Sequence, residues 1–348
     1  MGERDETRKI QFTGKSSYIV SLPKQWIMEL GLKRGDQLRM IRNGAVMQIH
    51  PLGYKAKETW ANDATIEFGS DESSSSIVRK LISLYFLGLK TINIKPKSGR
   101  LQPEQRKAIK RAARRMLMGT EIISDNTGGI TIQVLVNVLE LSVNGALKRM
   151  LHLAKSMLND VIIALGEKNV DLAREVINMD DEVDRFGFYI IRQLKIAIQN
   201  DHMLQELGFD NARQCLGYRL VVKSIERTGD HATQIAYELL EFEREMNPDV
   251  VLEIQKMSQF ALGVLDDACL SLFKENHIQA EATIEKAKLI FEYEARVITV
   301  AKSLNEEELY HTRRITEDIR RVAEYASDIA EIVLNINIAK ALKKRYHS

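Results

Sequence analysis

In the stretch SIERTGDHATQIA, Ser224 to Ala236, Glu226 and Asp230 stand at i and i+4. On a helix that spacing is about one turn, so the two carboxylates share a face. Gly229 and His231 lie beside Asp230, where better helix formers would ordinarily serve. The same E-x-x-x-D spacing recurs at Glu324 and Asp328 in RRVAEYASDIA, and MDDEVD adds another i,i+4 pair, Asp180 and Asp184. Carboxylates gathered at one height repel one another unless water screens them or a cation binds between them. An all-oxygen set suits hard or borderline cations: magnesium, manganese, calcium, ferric iron or, less comfortably, zinc.

The direction of these side chains follows from helix geometry. At about 100° per residue, the apolar stripe of Val221, Ile225, Ala232, Ile235 and Leu239 leaves Glu226 and Asp230 well outside its centre. The stripe of Ile319, Val322, Ala326, Ala330 and Val333 places Glu324 and Asp328 nearly opposite it. These carboxylates are therefore predicted to face out of a helical core. His231 projects toward the other side of its helix and is not expected to join them. Reflecting an antiparallel partner helix through the turn near Leu204 and Gln205 brings Asp180 and Asp184 level with Glu226 and Asp230. The corresponding helix farther on offers Glu285 and, more distantly, Glu292 among lysines, a poorer set. The competing reading is of solvated acids paired within their helices to Arg227 and Arg321.

Helices must position all of these groups. From about Leu139 onward the apolar residues recur at three and four. Breaks near Gly166 to Asn169, Gln199 to Asp210, Asn247-Pro248, Glu275 to His277 and Leu304-Asn305 predict six long helices in two sets of three. MLHLAKSMLNDVIIALGEKN, Met150 to Asn169, parallels MSQFALGVLDDACLSLFKEN, Met257 to Asn276, at one constant offset. That is the mark of a duplicated three-helix bundle.

Upstream, from about Lys55 to Asn137, TIEF, TINIKP, TEIISD and ITIQVLV read as strands. SSIVRKLISLYFLG and PEQRKAIKRAARRMLMG read as helices, the first capped by Asp71 or a neighbouring serine. The second carries Arg106, Lys107, Lys110, Arg111, Arg114 and Arg115. Such a helix can track nucleic-acid phosphates, but no base-reading motif accompanies it, which favours a solvated face. The first fifty residues read as a strand at Ser17 to Leu22, a helix opened by Pro23 and stopped by Gly31, and two strands, Gln37 to Arg42 and Ala45 to His50, joined at Asn43-Gly44.

Composition bounds the function classes. The chain has 348 residues, 45% hydrophobic and 28% charged, with a net charge of +2. These values describe a helix-rich globular chain of two or three domains. Cys215 and Cys269 are its two cysteines, and each falls in an apolar helical pattern, so a disulfide framework is excluded and a reducing, cytoplasmic setting is expected. No apolar run approaches the roughly 20 residues that span a bilayer, and MGERDETRKI lacks the apolar region of a secretory signal. The helices also lack the Glu-x-x-His motif of di-iron bundles, and there is no P-loop, nucleophile elbow or HExxH. A metal oxidase or phosphohydrolase is thus disfavoured, and no catalytic residue is assigned.

Two resemblances follow. Gly14, Lys15, Ile19, Pro23, Leu30-Gly31-Leu32, Gly35-Asp36 and Leu38 resemble the pattern of the AbrB/SpoVT transition-state regulators. That resemblance implies a swapped-hairpin β-barrel half, a homodimer, and DNA contacts from Lys15, Lys24, Lys33 and Arg34. The duplicated bundle with Asp180 to Asp184, Glu226 to Asp230 and Glu324 to Asp328 is similar to the phosphate-uptake regulator family, PhoU. It implies bound iron, zinc, magnesium or manganese, and negative regulation of phosphate uptake beside an ABC transporter. The fifth helix departs from the family pattern at EKAKLIFEYEAR. The expected fold class is thus multidomain α+β: an AbrB-like segment over residues 1–53, a small α/β unit over 54–137, and all-α three-helix bundles over 138–246 and 247–348. The expected function is a DNA-binding, metal-binding regulator of phosphate homeostasis, with inorganic phosphate held through the metal. The rival is a module that docks on the transporter without binding DNA.

Overall fold

The computed structural model describes residues 6–14, 17–43, 46–52, 62–199, 201–242 and 245–345. The chain divides into two compact units, Met1–Trp60 and Ala61–Ser348.

In the first unit, strands β1 (Gln11–Thr13) and β2 (Ser17–Ile19) form an antiparallel hairpin. Helix α1 (Lys24–Glu29) follows, then the hairpin of β3 (Leu38–Asn43) and β4 (Val46–Pro51). Pro23 caps α1 with φ −59°, the value its ring imposes, and Gly31 leaves the helix at φ +65°, a conformation natural to glycine. β2 stops at Ile19, short of the predicted Leu22. Phe12 and Tyr18 meet edge to face, with ring centroids 5.1 Å apart, yet both stay largely exposed. Among the described residues of this unit no large apolar side chain is buried.

The second unit begins with a four-stranded sheet in the order β5 (Asp63–Phe68), β6 (Thr91–Pro96), β8 (Gly129–Val134), β7 (Thr120–Asn126). β5 and β6 are parallel, linked by α2 (Ser74–Phe86), and the other pairings are antiparallel. Ser73 caps α2 by accepting from the Ser76 amide. Helix α3 (Pro103–Arg111) carries the basic run and passes into a π-helical turn at Ala112–Met116. The alternating residues Ile92, Ile94, Ile130 and Ile132 pack with Ile77, Leu81 and Ile109 on the helices, so one sheet face is buried.

Two sets of helices complete the unit. The first comprises α4 (Val143–Glu167), α5 (Val170–Ala197), the short α6 (Asp201–Glu206) and α7 (Ala212–Glu241). The second comprises α8 (Pro248–Phe273), α9 (His277–Ala287), α10 (Ile290–Val300) and α11 (Glu306–Arg345). Lys168 and Glu275, equivalent in the two repeats, both take φ +50°. Each precedes an asparagine, Asn169 or Asn276, whose side chain caps the next helix. The repeat is thus visible in its turns as well as its sequence. The predicted fifth helix is broken at Lys288 and Leu289 into α9 and α10. Buried Ala287, Ile290 and Val297 keep helical spacing across the break, so periodicity alone gives no sign of it.

Arg192 on α5 joins the bundle to the α/β layer. It is 3% exposed, and its guanidinium donates to the carbonyls of Tyr85 and Leu89 at the C-terminal end of α2 and lies 4.8 Å from the Tyr85 ring centroid. A helix C-terminus carries partial negative charge, so it compensates a buried cation that has no carboxylate in these contacts.

Candidate functional site: an acidic groove between two helices

Helices α5 and α7 pack antiparallel and bring Asp180, Asp184, Glu226 and Asp230 within one another's fields. Burial pushes the Asp184 carboxyl up to about 8, with Glu226, Asp180 and Asp230 adding repulsion. Burial likewise raises Asp180 to about 6, helped by Asp230, Asp181 and Glu226. Asp230 is also raised, by burial first and Glu226 second, while Lys223, Arg227 and His231 oppose the rise. Lys223 contacts Glu226 at 2.5 Å, one cation among four carboxylates. Gly229 is buried between the helices, and an added Cβ would stand at ordinary contact distance, 3.4 Å from Val183 and 3.6 Å from Asp180 Oδ1, so α7 passes close beside Asp180 there.

The carboxylates lie outside the apolar core, but they are half-buried because the partner helix flanks them. The angle of a residue on its own helix fixes its direction relative to that helix's apolar stripe and is silent about a neighbouring helix. Among the described residues, no three His, Cys, Asp or Glu side chains are gathered closely enough to hold a metal ion as they stand. The donor set nevertheless fits a hard cation: it is all carboxylate, mutually repelling, and retains protons that a cation would displace.

The second half is arranged differently. Glu324 is held by Arg320 and, at 2.9 Å, by Arg321. Arg320 also reaches Glu294 at 3.3 Å and Glu317 at 3.7 Å, and its guanidinium lies 5.8 Å from the Phe291 ring centroid. Asp328 is the more exposed of the pair, and its carboxyl is raised, by partial burial first and by Glu331 second, against the opposing charge of Arg227. Glu285 pairs with Lys288 at 2.5 Å, and Glu292 is exposed on α10. The E-x-x-x-D spacing is thus repeated, but arginine occupies the place that a cation could take in the first half.

His231 turns away from the acidic groove. Its Nδ1 lies 2.7 Å from Asp318 Oδ1 and its Nε2 3.1 Å from the Tyr325 hydroxyl, joining α7 to α11. Farther along the same seam, His311 Nδ1 meets Glu238 at 2.8 Å, and Arg314 meets the other Glu238 oxygen at 2.5 Å. Sequence reading missed these seam residues. The available signal was their register: His231 with Asp318 and Glu238 with His311 satisfy one antiparallel alignment of α7 and α11.

The basic helix is largely paired within the protein. Arg106 and Lys110 bind Asp125 at 2.6 and 2.8 Å. Arg111 and Arg115 reach Asp181, the middle acid of MDDEVD, at 2.9 and 3.8 Å. In the first unit Lys24, Lys33 and Arg34 are exposed around α1 and its following turn, and Lys15 lies outside the described residues. No helix among the described residues is long and apolar enough to cross a membrane.

Comparison with known proteins matches this arrangement in two places. The PhoU domain model fits residues 147–239 and 254–333, and the model described as "Antidote-toxin recognition MazE, bacterial antitoxin" fits residues 11–56. A phosphate-specific transport system accessory protein PhoU homolog of Aquifex aeolicus is 28% identical over 138 residues, covering 40% of this chain and 61% of that protein. A homolog of the same description from Thermotoga maritima is 26% identical over 204 residues, covering 56% of this chain and 86% of its own. The crystal structure of PhoU from Pseudomonas aeruginosa aligns at 17% identity with a TM-score of 0.49, over 56% of this chain and 94% of that one. The two PhoU segments fall one in each half of the helical body, and through them that body, behind a MazE/AbrB-like segment, belongs to the PhoU family.

Proposed function

We propose that this protein is a DNA-binding, negative regulator of phosphate uptake whose acidic groove holds a cation. The observation that carries the reading is the union, in one chain, of a MazE/AbrB-like segment and a tandem PhoU body. Lys24, Lys33 and Arg34 are exposed and, with Lys15, supply the cations for phosphate contacts. Phe12, Tyr18, Met40 and Met47 remain uncovered in the first unit, which supports a homodimer in which a second copy of the hairpins covers them.

Asp180, Asp184, Glu226 and Asp230 would hold the metal, with iron, zinc, magnesium and manganese as the classes the ligands suit. A cation held there would relieve their repulsion and would supply positive charge for inorganic phosphate. Regulation is by linkage: a ligand shifts the dimer's DNA affinity only by its differential affinity for the two arrangements of the body. No step of this mechanism needs a catalytic residue.

The test is a gel-shift series with DNA from upstream of phosphate-transport genes. The expected result is binding that weakens steeply with salt and falls when Lys24, Lys33 and Arg34 are replaced by alanine. Absence of binding by folded protein removes the DNA claim. It would leave docking on a phosphate ABC transporter, a reading favoured by the relatives' description as transport-system accessory proteins. Metal content is a separate measurement: Glu226→Ala with Asp230→Ala should lower bound metal in a folded protein, and unchanged content by elemental analysis would reject the groove.

A further inference from the structure

The α/β layer meets the helical body where the π-helical turn packs against α5. Arg111, the last residue of α3, and Arg115, inside the turn, both reach one oxygen, Asp181 Oδ2, at 2.9 and 3.8 Å. Their side chains are 63% and 60% exposed over a carboxylate that is 17% exposed, so the two guanidiniums form the outer layer. One carboxylate neutralises one guanidinium. A net positive charge is left, and most of the five N–H donors on each arginine face solvent. One turn along α5, Arg185 keeps a buried Nε with no hydrogen-bond partner among the described residues. The junction has donors in excess and is short of acceptors.

We propose that Arg111 and Arg115 bind a doubly charged tetrahedral oxyanion, inorganic phosphate, at the edge of the acidic groove. The geometry suits the ion. Because both contacting nitrogens reach the same oxygen, they are no more than about 7 Å apart, a span that two N–H groups cover when they donate to different oxygens of one phosphate. Arginine stands at both positions, and its planar fork matches phosphate better than an ammonium does. Phosphate carries more negative charge than the Asp181 carboxylate it would displace. Asp181 directly follows Asp180 of the groove, and the two carboxylates repel each other. A divalent cation on four carboxylates leaves that groove negative, so phosphate held beside it needs cations from elsewhere, and the α/β layer supplies them. The PhoU match begins at residue 147, so both arginines lie outside it and the site belongs to the α/β layer rather than to the matched body. Binding here needs no cation in the groove, and its part in phosphate regulation rests on the function proposed above.

The test is titration calorimetry of the full chain with inorganic phosphate at low salt, with chelator and, separately, with saturating magnesium. One phosphate per chain should bind in both conditions. Arg111→Gln with Arg115→Gln should weaken binding about tenfold or more. Lys107→Gln with Arg114→Gln, the same loss of charge at exposed neighbouring positions, should weaken it less than about threefold. Asp181→Asn should tighten binding about threefold, because it removes the competing carboxylate. Helical circular dichroism checks that each variant is folded. Equal losses in the two double variants would reduce the site to a diffuse positive field and overturn the proposal. So would weaker binding by Asp181→Asn, or no phosphate binding by the folded parent. Glu226→Ala with Asp230→Ala separates this site from the groove: with chelator it should not weaken phosphate binding, and a loss there counts against the arginines. Failure of the cation reading shows instead as unchanged metal content in that same variant, so the two claims fail separately.

Discussion

Without bound cations, the helical unit should lose stability as pH rises from 5 to 7, and Asp184→Asn should remove most of that loss. The folded protein holds the Asp184 proton to about pH 8 and the Asp180 proton to about pH 6, against an ordinary value of 3.8. Between the ordinary and the raised value the folded state binds a proton that the unfolded state has released. Stability then falls by about 1.4 kcal/mol per pH unit for each such group. From pH 5 to 7 Asp184 alone accounts for about 3 kcal/mol, and water at the half-open groove reduces this to roughly 1.5 kcal/mol. Asp180 adds a smaller loss with the same sign, complete near pH 6. Glu72 and Asp125 are shifted downward, so their contribution is lost only as pH falls into the carboxylate range, outside this window.

The measurement is urea unfolding followed by helical circular dichroism, with chelator present, at half-unit steps of pH. The parent midpoint should fall from pH 5 to 7, and that of Asp184→Asn should stay nearly level. Saturating manganese should flatten the parent curve, because a bound cation replaces the protons. Parallel curves for parent and variant would refute the reasoning, as would a parent that gains stability toward pH 7.

Four further outcomes separate the roles of neighbouring groups. His231→Ala should cost about 1–2 kcal/mol in urea unfolding through its lost bonds to Asp318 and Tyr325, yet leave metal content unchanged by elemental analysis. Arg320→Gln should add a weaker cation-binding equivalent in titration calorimetry, because it takes the arginine from Glu294 and leaves Glu317 and Glu324 with Arg321 as their arginine partner. Arg192→Ala should destabilise the second unit by about 2 kcal/mol, as it removes the guanidinium donor from the Leu89 carbonyl and leaves the Tyr85 carbonyl to the backbone amides at the end of α2. Gly217→Ala should also destabilise, read by the same unfolding assay: its Cβ would fall 2.5 Å from Ile336 Cδ1 where α7 meets α11.

What the sequence made legible follows from how each feature is encoded. The bundle repeat, the strands of the α/β layer and the level of Asp180 and Asp184 with Glu226 and Asp230 all arise from local period and turn position. They survive folding because a helix keeps its register. The half-burial of the groove depends on α5 lying beside α7, and the bond from Asp181 to Arg111 joins residues 70 apart in the chain. No local period records either. The second E-x-x-x-D pair shows the limit most clearly. Arg320 precedes Glu324 by one turn and reads as an ordinary surface pair. Its tertiary contact is what changes its meaning, because Glu294 of α10 reaches the same guanidinium. With that side chain in place, the second half already contains its positive charge. The two copies therefore share the spacing of their carboxylates but not their charge partners, and they are expected to differ in metal occupancy.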